Sequence, residues 1–399
     1  MGFLPVCWFW VNWHKEEEMA KSKKNTLKVA QFDADKRFYV GLDVATKKTQ
    51  ICVLDEQGKL YQQKEIATHP AAIASYLRKY CRSNVEVIGM ETGCMSSWLY
   101  HGLKNSNLPV VVLDALHIHR FLSVKRNKTD VNDARGIAEL VHKGLDWLNV
   151  VHVKSAMCHE IRSLLTIRNQ LVKQRGQSEM MIRSILRMHG SLIECKGSGN
   201  TTFREEAIYL MNEIWDTQNM DLRPRLVPIL DLCEEITKRM QQIEVELKML
   251  AESEPVVKRF TEIPGVGPII ALSFYTAIED PKRFNRVEDV GAYFGLTPRV
   301  YQSGETEVVG KISCRGNQMT RTHLVQAANV ILTHTHSFSS LKVWGTKLSK
   351  KVGYNRAKVA VARKLAIIML SMWKDDLPFY FNNERLAEYK ATRATAAAA

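Results

Sequence analysis

Nowhere between Val308 and Lys374 does the chain carry an aspartate or a glutamate. Solvated helix faces ordinarily mix both signs, so the stretch does not read as one. It holds Lys311, Arg315, Arg321, Lys342, Lys347, Lys350, Lys351, Arg356, Lys358, Arg363, Lys364 and Lys374, a surface suited to phosphate. Apolar runs long enough to cross a bilayer are missing too. Met1 to Trp13 is apolar but short, without the basic start or small-residue cleavage site of a signal peptide. Val6 stands where a myristoylation signal requires Ser or Thr. With no membrane partner indicated, the formal charge of +14 points to nucleic acid. The eight cysteines include no Cys-x-x-Cys and no Cys/His spacing that suits zinc, which fits reduced thiols in the cytoplasm. His117 with His119, and His334 with His336, read as surface or core residues rather than ligands.

What is present begins with Lys128-Thr129-Asp130-Val131-Asn132-Asp133-Ala134-Arg135. Thr129 can cap a helix that continues through Ile137, Ala138, Leu140 and Val141. Asp130 and Asp133, three apart, then share a face. Taken alone they are simple capping acids that complement the helix dipole. Their neighbours Lys125, Arg126, Lys128 and Arg135 suit instead a carboxylate site working beside a polyanion. Such a pair supplies half of an oxygen cluster for a hard divalent cation.

Upstream, Phe38 to Val44 is apolar enough for a central strand, with Asp43 inside it. Strands over Thr49–Asp55 and Leu60–Ile66 follow, then a helix over Pro70–Arg82. Next come a strand over Val85–Met90 ending on Glu91, a helix over Ser96–Lys104 and a strand over Val110–Leu113. A three-strand meander followed by alternating helices and strands is the ribonuclease-H-like order of an α/β domain. In it Asp43, Glu91, Asp130 and Asp133 come from two strands and one helix, a set able to bind Mg²⁺.

Beyond this domain the chain reads as mainly helical. Apolar residues at helical spacing predict long helices over Ser155–Gly190 and Arg225–Ala251, an antiparallel coiled coil for dimerisation or an ordinary helical subdomain. Ile263-Pro264-Gly265-Val266-Gly267-Pro268 reads as a helix-hairpin-helix turn, with Gly265 and Gly267 offering backbone N–H groups to a phosphate. By residue type alone, Ser303 beside Gly304 is a turn serine.

Together these motifs resemble the DEDD insertion-sequence transposases, the one-ten and eleven-eleven group, understood as bridge-RNA-guided recombinases. The resemblance rests on Asp43, on Glu91 before Thr92-Gly93, on Lys-Thr-Asp-x-x-Asp-Ala and on Ile-Pro-Gly-Val-Gly. It continues through Gly295-Leu296-Thr297-Pro298-Arg299, Ser303-Gly304, Arg315-Gly316-Asn317 and Leu324-Val325-Gln326-Ala327-Ala328, and covers about Phe38 to Pro378. It implies a RuvC-like domain (37–150), a coiled coil (151–255) and a C-terminal transposase domain (256–380); the leader (1–36), read from its residues as poorly ordered, and the tail (381–399) lie outside it. It also implies that the four acids hold Mg²⁺ and that Ser303 attacks DNA to form a covalent intermediate. Acids and serine would meet across subunits of a tetramer, around a guide RNA pairing with donor and target DNA in the bacterial cytoplasm.

Three other readings compete. Sugar kinases and actin-like ATPases share the strand order, but Asp43-Val44-Ala45-Thr46-Lys47-Lys48 lacks the glycines of their phosphate loop. A metal-dependent junction resolvase would cut without a serine intermediate. A DNA-binding protein without catalysis would gain nothing from four acids among so many cations.

Overall fold

The computed structural model of the chain describes residues 36–123, 129–195, 201–304 and 306–381. Lys125, Arg126 and Lys128, expected to bind nucleic acid, lie outside the described residues, as do most of the leader and the tail. The chain divides into a first compact unit ending at Val153 and a second beginning at Lys154.

The first unit opens with strands β1 (Phe38–Val44), β2 (Lys48–Leu54) and β3 (Leu60–Ala67), a meander in which each strand runs antiparallel to the next. Helix α1 (Pro70–Cys81) leads to β4 (Val85–Glu91), α2 (Ser96–Lys104) to β5 (Val110–Leu113), and α3 (Ala115–Leu122) and α4 (Asp130–His142) follow. The sheet order is β3-β2-β1-β4-β5, with β4 parallel to both β1 and β5. Strand alternation sorts β1 between two cores. Phe38, Val40 and Leu42 join Ile73, Leu77, Leu99 and Leu103 under α1 and α2. On the other face Leu113, Ile137, Leu140 and Val141 form a second cluster, while Ala134 and Ala138 pack against Cys52 and Leu54. A central strand covered on both faces must be nearly all apolar, as β1 is until Asp43.

In the second unit the long helices are α5 (Ala156–Met188) and α7 (Arg223–Ser253), joined through α6 (Thr201–Gln218). They are antiparallel. Ile161 and Leu165 share one core with Leu247 and Ala251, whereas Ile182 and Leu186 share another with Leu226 and Leu230. Between those cores, buried Cys233, Ile236 and Met240 of α7 alternate with polar pairs: Arg168 with Glu244 at 2.6 Å, and buried Glu179 with Arg175 at 3.5 Å. The connection is itself a helix of 18 residues, longer than the short stretch the sequence suggests; its Phe203, Ala207, Met211 and Ile214 close the far core.

The rest of this unit comprises α8 (Pro255–Phe260), α9 (Pro268–Ile278), α10 (Asp289–Tyr293), strands β6 (Pro298–Ser303) and β7 (Thr306–Ile312), α11 (Gln318–Thr333), α12 (Ser340–Val352) and α13 (Tyr354–Asp375). Phe260, Phe274, Phe294, Leu324, Leu365 and Met369 are fully buried at its centre. Lys154 donates to the carbonyls of Ala277 (2.7 Å) and Ile278 (3.1 Å) at the end of α9. Burial, with Arg283 as the next cause, lowers its pKa to about 8. Among the described residues no helix is long and apolar enough to cross a membrane.

Candidate functional site

The placement of the first unit's acids follows from two glycines. A Cβ at Gly41 would stand 2.1 Å from the Ala134 carbonyl oxygen and 2.3 Å from the Ala138 nitrogen. One at Gly89 would stand 2.6 Å from Val141 Cγ1 and 3.1 Å from Ile137 Cγ2. Both glycines therefore face α4, which lies on the sheet at backbone contact. The rings of Tyr39 and His142 meet edge to face at 4.8 Å, so the end of α4 lies over the beginning of β1. The helix runs antiparallel to the strand.

Side chains two residues apart on a strand point the same way. Asp43 therefore shares the face of Gly41, and Glu91 that of Gly89. With Leu42 paired to Met90, the two acids end neighbouring parallel strands. Four residues before Ala134 stands Asp130, and four before Ile137 stands Asp133, on the same sheet-facing stripe. From the Gly41–Ala134 contact, Asp130 lies about 6 Å along the helix and Asp43 about 6 Å along the strand, both toward the same end. All four acids thus face one corner of the unit, where α4 begins and β1 and β4 finish.

Local chemistry fixes that corner. Thr129 caps α4, its hydroxyl accepting from the Asn132 N–H at 3.2 Å, and Gln63 of β3 donates to the Val131 carbonyl at 2.9 Å. Beyond Glu91, the Thr92 N–H donates to Leu113 O (3.0 Å), and the Thr92 hydroxyl accepts from the Ala115 N–H (3.1 Å). The strand end bearing Glu91 is thereby tied to β5 and α3. Asp43, Glu91 and Asp133 are half-buried and Asp130 is exposed. Four oxygen donors suit a hard divalent cation. Among the described residues, however, no three Asp, Glu, His or Cys side chains are gathered into a ready chelate. Arg135, read as a cation beside the acids, pairs instead with Glu139 at 2.9 Å, one turn further along the helix.

Asp114, not among the acids read from the sequence, is half-buried at the end of β5, where its carboxylate accepts from the His117 N–H at 2.9 Å and caps α3. An acid directly before an apolar helical run was the available signal. Gly41 and Gly89, which set the depth of α4, carry no hydropathy signal.

Ser303 belongs to the second unit. It is the last residue of β6, paired across the hairpin with Thr306, and Gly304 turns the chain with a φ of +57°. Every residue of β6 is exposed. The base of the hairpin is dense. A Cβ at Gly295 would lie 2.4 Å from Arg315 backbone atoms, and one at Gly316 2.0 Å from the Tyr293 carbonyl oxygen. Arg321 Nη1 donates to the carbonyls of Phe294 (3.0 Å) and Arg315 (2.8 Å), and Arg299 Nη2 to that of Ser313 (3.0 Å). Asn317 caps α11 through the Thr320 N–H at 3.0 Å.

The cations expected to meet phosphate therefore divide. Lys311, Arg315, Lys350, Lys351, Arg356 and Lys364 are exposed. Arg299 and Arg321 brace the hairpin base, half-buried Arg363 packs beneath Gly291, and Lys358 Nζ lies 5.4 Å from the Tyr354 ring centre. Gly265 has a φ of +87° and packs on Ile331 and Ala327 of α11, so backbone conformation and packing account for a glycine there. Gly267, at the N-cap of α9, stays open. His323 of α11 is buried, and burial with nearby Arg168 lowers its pKa to about 4.

Comparison with known proteins bears on both units. A DEDD transposase family model matches residues 40–190, and a model described as transposase IS116/IS110/IS902 family matches residues 257–342. The transposase for insertion sequence element IS1111A of Coxiella burnetii is 32% identical over 339 residues, 84% of this chain and 88% of its own. The transposase for insertion sequence element IS1328 of Yersinia enterocolitica is 27% identical over 291 residues, 71% of this chain and 82% of its own. The Thermus thermophilus RuvC structure aligns with 29% of this chain and 99% of its own at 12% identity, with a TM-score of 0.22 that carries no argument. By its likeness to the Coxiella protein along most of both chains, and by the two family models in order, the chain belongs to the IS116/IS110/IS902 family of transposases, enzymes that cut and rejoin DNA.

Proposed function

We propose that the protein is an RNA-guided recombinase of an insertion sequence, joining donor to target DNA through a four-acid Mg²⁺ site and a covalent serine–DNA intermediate. The observation that carries it is the shared facing of Asp43 and Glu91, each two residues beyond a glycine pressed against α4, toward the end where Asp130 and Asp133 begin that helix. The sheet order β3-β2-β1-β4-β5 supports reading the first unit as ribonuclease-H-like. A bound Mg²⁺ would supply charge neutralisation at the phosphodiester.

The chain's own groups do the rest. Ser303, exposed at the tip of a hairpin, can reach a backbone that the exposed cations of the acid-free segment hold. By the family resemblance the acid set that meets this serine comes from another subunit: the hydroxyl gives up a proton to one of its carboxylates, Oγ bonds to phosphorus, and the bond to the leaving sugar oxygen breaks as that oxygen takes up a proton. A sugar hydroxyl of the incoming strand then attacks the serine phosphodiester and releases the serine. One phosphodiester is exchanged for another, so no external energy source is needed. Guide RNA, dimer or tetramer assembly with the long helices as interface, phosphate contact at Gly265 and Gly267, and action on nucleoid DNA belong to the same reading through the family resemblance.

The test is a denaturing gel of the full chain with labelled DNA, guide RNA and Mg²⁺. Wild type leaves a protein–DNA adduct, and Ser303→Ala loses both adduct and cleavage. Normal cutting by Ser303→Ala refutes the serine step while sparing the acid set, and identifies a metal-dependent nuclease that uses water.

A further inference from the structure

At the opposite end of the first unit's sheet, where β4 and β5 begin, lies an open cavity of about 820 Å³. Its polar lining is Arg78, Arg82, Ser83, Lys104, Ser106 and Asn107, with no carboxylate. From Val85, which borders it, to Glu91 is the length of β4, about 20 Å. The cavity is therefore separate from the acid corner. It also lies outside the acid-free segment, so neither feature accounts for it.

An ordinary role for these cations must be weighed first. Arg78 and Lys104 stand in the last turns of α1 and α2, where a positive charge complements the helix dipole. Each helix end contributes about half a negative charge, so the two together offset about one cation. Arg78 and Lys104 bring two full charges, which leaves the cavity positive before Arg82 is counted. The cations are also positioned. Arg78 Nη2 donates to the Ser106 carbonyl at 3.2 Å, and Lys104 Nζ lies 5.8 Å from the Tyr100 ring centre. Asn107, at a φ of +59°, turns the chain along the rim, where amide and hydroxyl groups stand beside the cations. Cations interleaved with neutral hydrogen-bonding groups, and no aromatic in the lining, match a sugar–phosphate backbone rather than a base.

We infer that this cavity is a second nucleic-acid site, holding backbone phosphates without reading sequence, at the end of the sheet away from the carboxylates. It does not depend on the serine step. In a chain that handles more than one strand, it anchors a length of polynucleotide well away from the acids.

The experiment uses the full-length protein with Arg78→Gln and Lys104→Gln together, without Mg²⁺, so that binding is read apart from cleavage. Affinity for labelled single-stranded RNA, single-stranded DNA and duplex DNA is measured across a salt series. Losing two phosphate contacts flattens the slope of log K against log salt by about 1.4 on a single strand and about 1.8 on a duplex. The nucleic acid whose slope changes identifies the occupant. The pair Arg78→Lys and Lys104→Arg keeps both charges and retains the wild-type slope. Both side chains are exposed, so the melting temperature of either pair stays near wild type. Unchanged slopes on all three probes overturn the inference, as does a flattened slope that the charge-conserving pair shares.

Discussion

Replacing Gly41 by alanine adds one methyl group at the point where α4 meets β1. That methyl would sit 2.1 Å from the Ala134 oxygen and 2.3 Å from the Ala138 nitrogen, where ordinary contact begins at 3.4 Å. The helix must retreat by about 1 Å, because both obstacles are backbone and neither can rotate away. Overpacking of a tight core costs about 1–3 kcal/mol, and a backbone obstacle puts this change at or above the top of that range. Against total stabilities of about 5–15 kcal/mol, the protein should fold but melt early. Displacing a reacting constellation by about 1 Å also costs about 100-fold in rate, so cleavage should fall by at least that factor in the molecules that remain folded. Denaturant titration and strand cleavage at a temperature where the variant is folded measure the two effects. Gly176→Ala, in mid-helix with nothing within 4 Å, is the control and should be neutral or stabilising by up to about 1 kcal/mol. If Gly41→Ala matches wild type in both assays, the close approach of α4 is wrong. If it loses stability but cleaves normally when folded, the acids do not depend on that approach.

Asp130→Asn and Asp133→Asn should each abolish strand cleavage and leave DNA and RNA binding intact; full activity in both would remove these carboxylates from the site. His323, lowered to about 4 from an ordinary 6.5, stays neutral in the folded protein while the unfolded chain takes up a proton. Its contribution is therefore intact above about pH 6.5 and falls by about 3 kcal/mol by pH 4, so His323→Leu should show a shallower acid limb in denaturation curves from pH 7 to 4. Identical limbs would mean that the imidazole is solvated. Reversing Lys350, Lys351 and Lys364 should flatten the salt dependence of nucleic-acid binding, with Arg363 left alone because it packs under Gly291. An unchanged slope would assign that face to a different partner.

The strand order was legible because apolar runs such as Phe38–Val44 and Val110–Leu113 are short, bounded and β-branched. The cap at Thr129 and the shared face of Asp130 and Asp133 were legible from helical spacing alone. What sets the depth of α4 was not, since a glycine marks the absence of a side chain and its meaning lies with the helix opposite. The β6–β7 hairpin was missed in a region read as mainly helical. Val300 and Tyr301 are adjacent and both exposed, as are Val308 and Val309, so no period-two burial pattern is present to be read. Ser303-Gly304 gave the turn but not the strands beside it. The acid-free segment likewise revealed its sign but not which cations brace the fold. Arg321 spends its guanidinium on the carbonyls of Phe294 and Arg315, and only tertiary contacts reveal that.

The hairpin separates two kinds of selection. Substitutions at Phe260, Phe274 or Phe294 are felt by every function of the molecule at once, through folding. From Val300 to Ser303 no side chain is buried, so folding is nearly blind to what stands there. Residue types retained in that strand across diverging lineages are retained for what the hairpin touches, and a saturation library of Val300 to Ser303 scored separately for abundance and for transposition would read that contact directly, one position at a time.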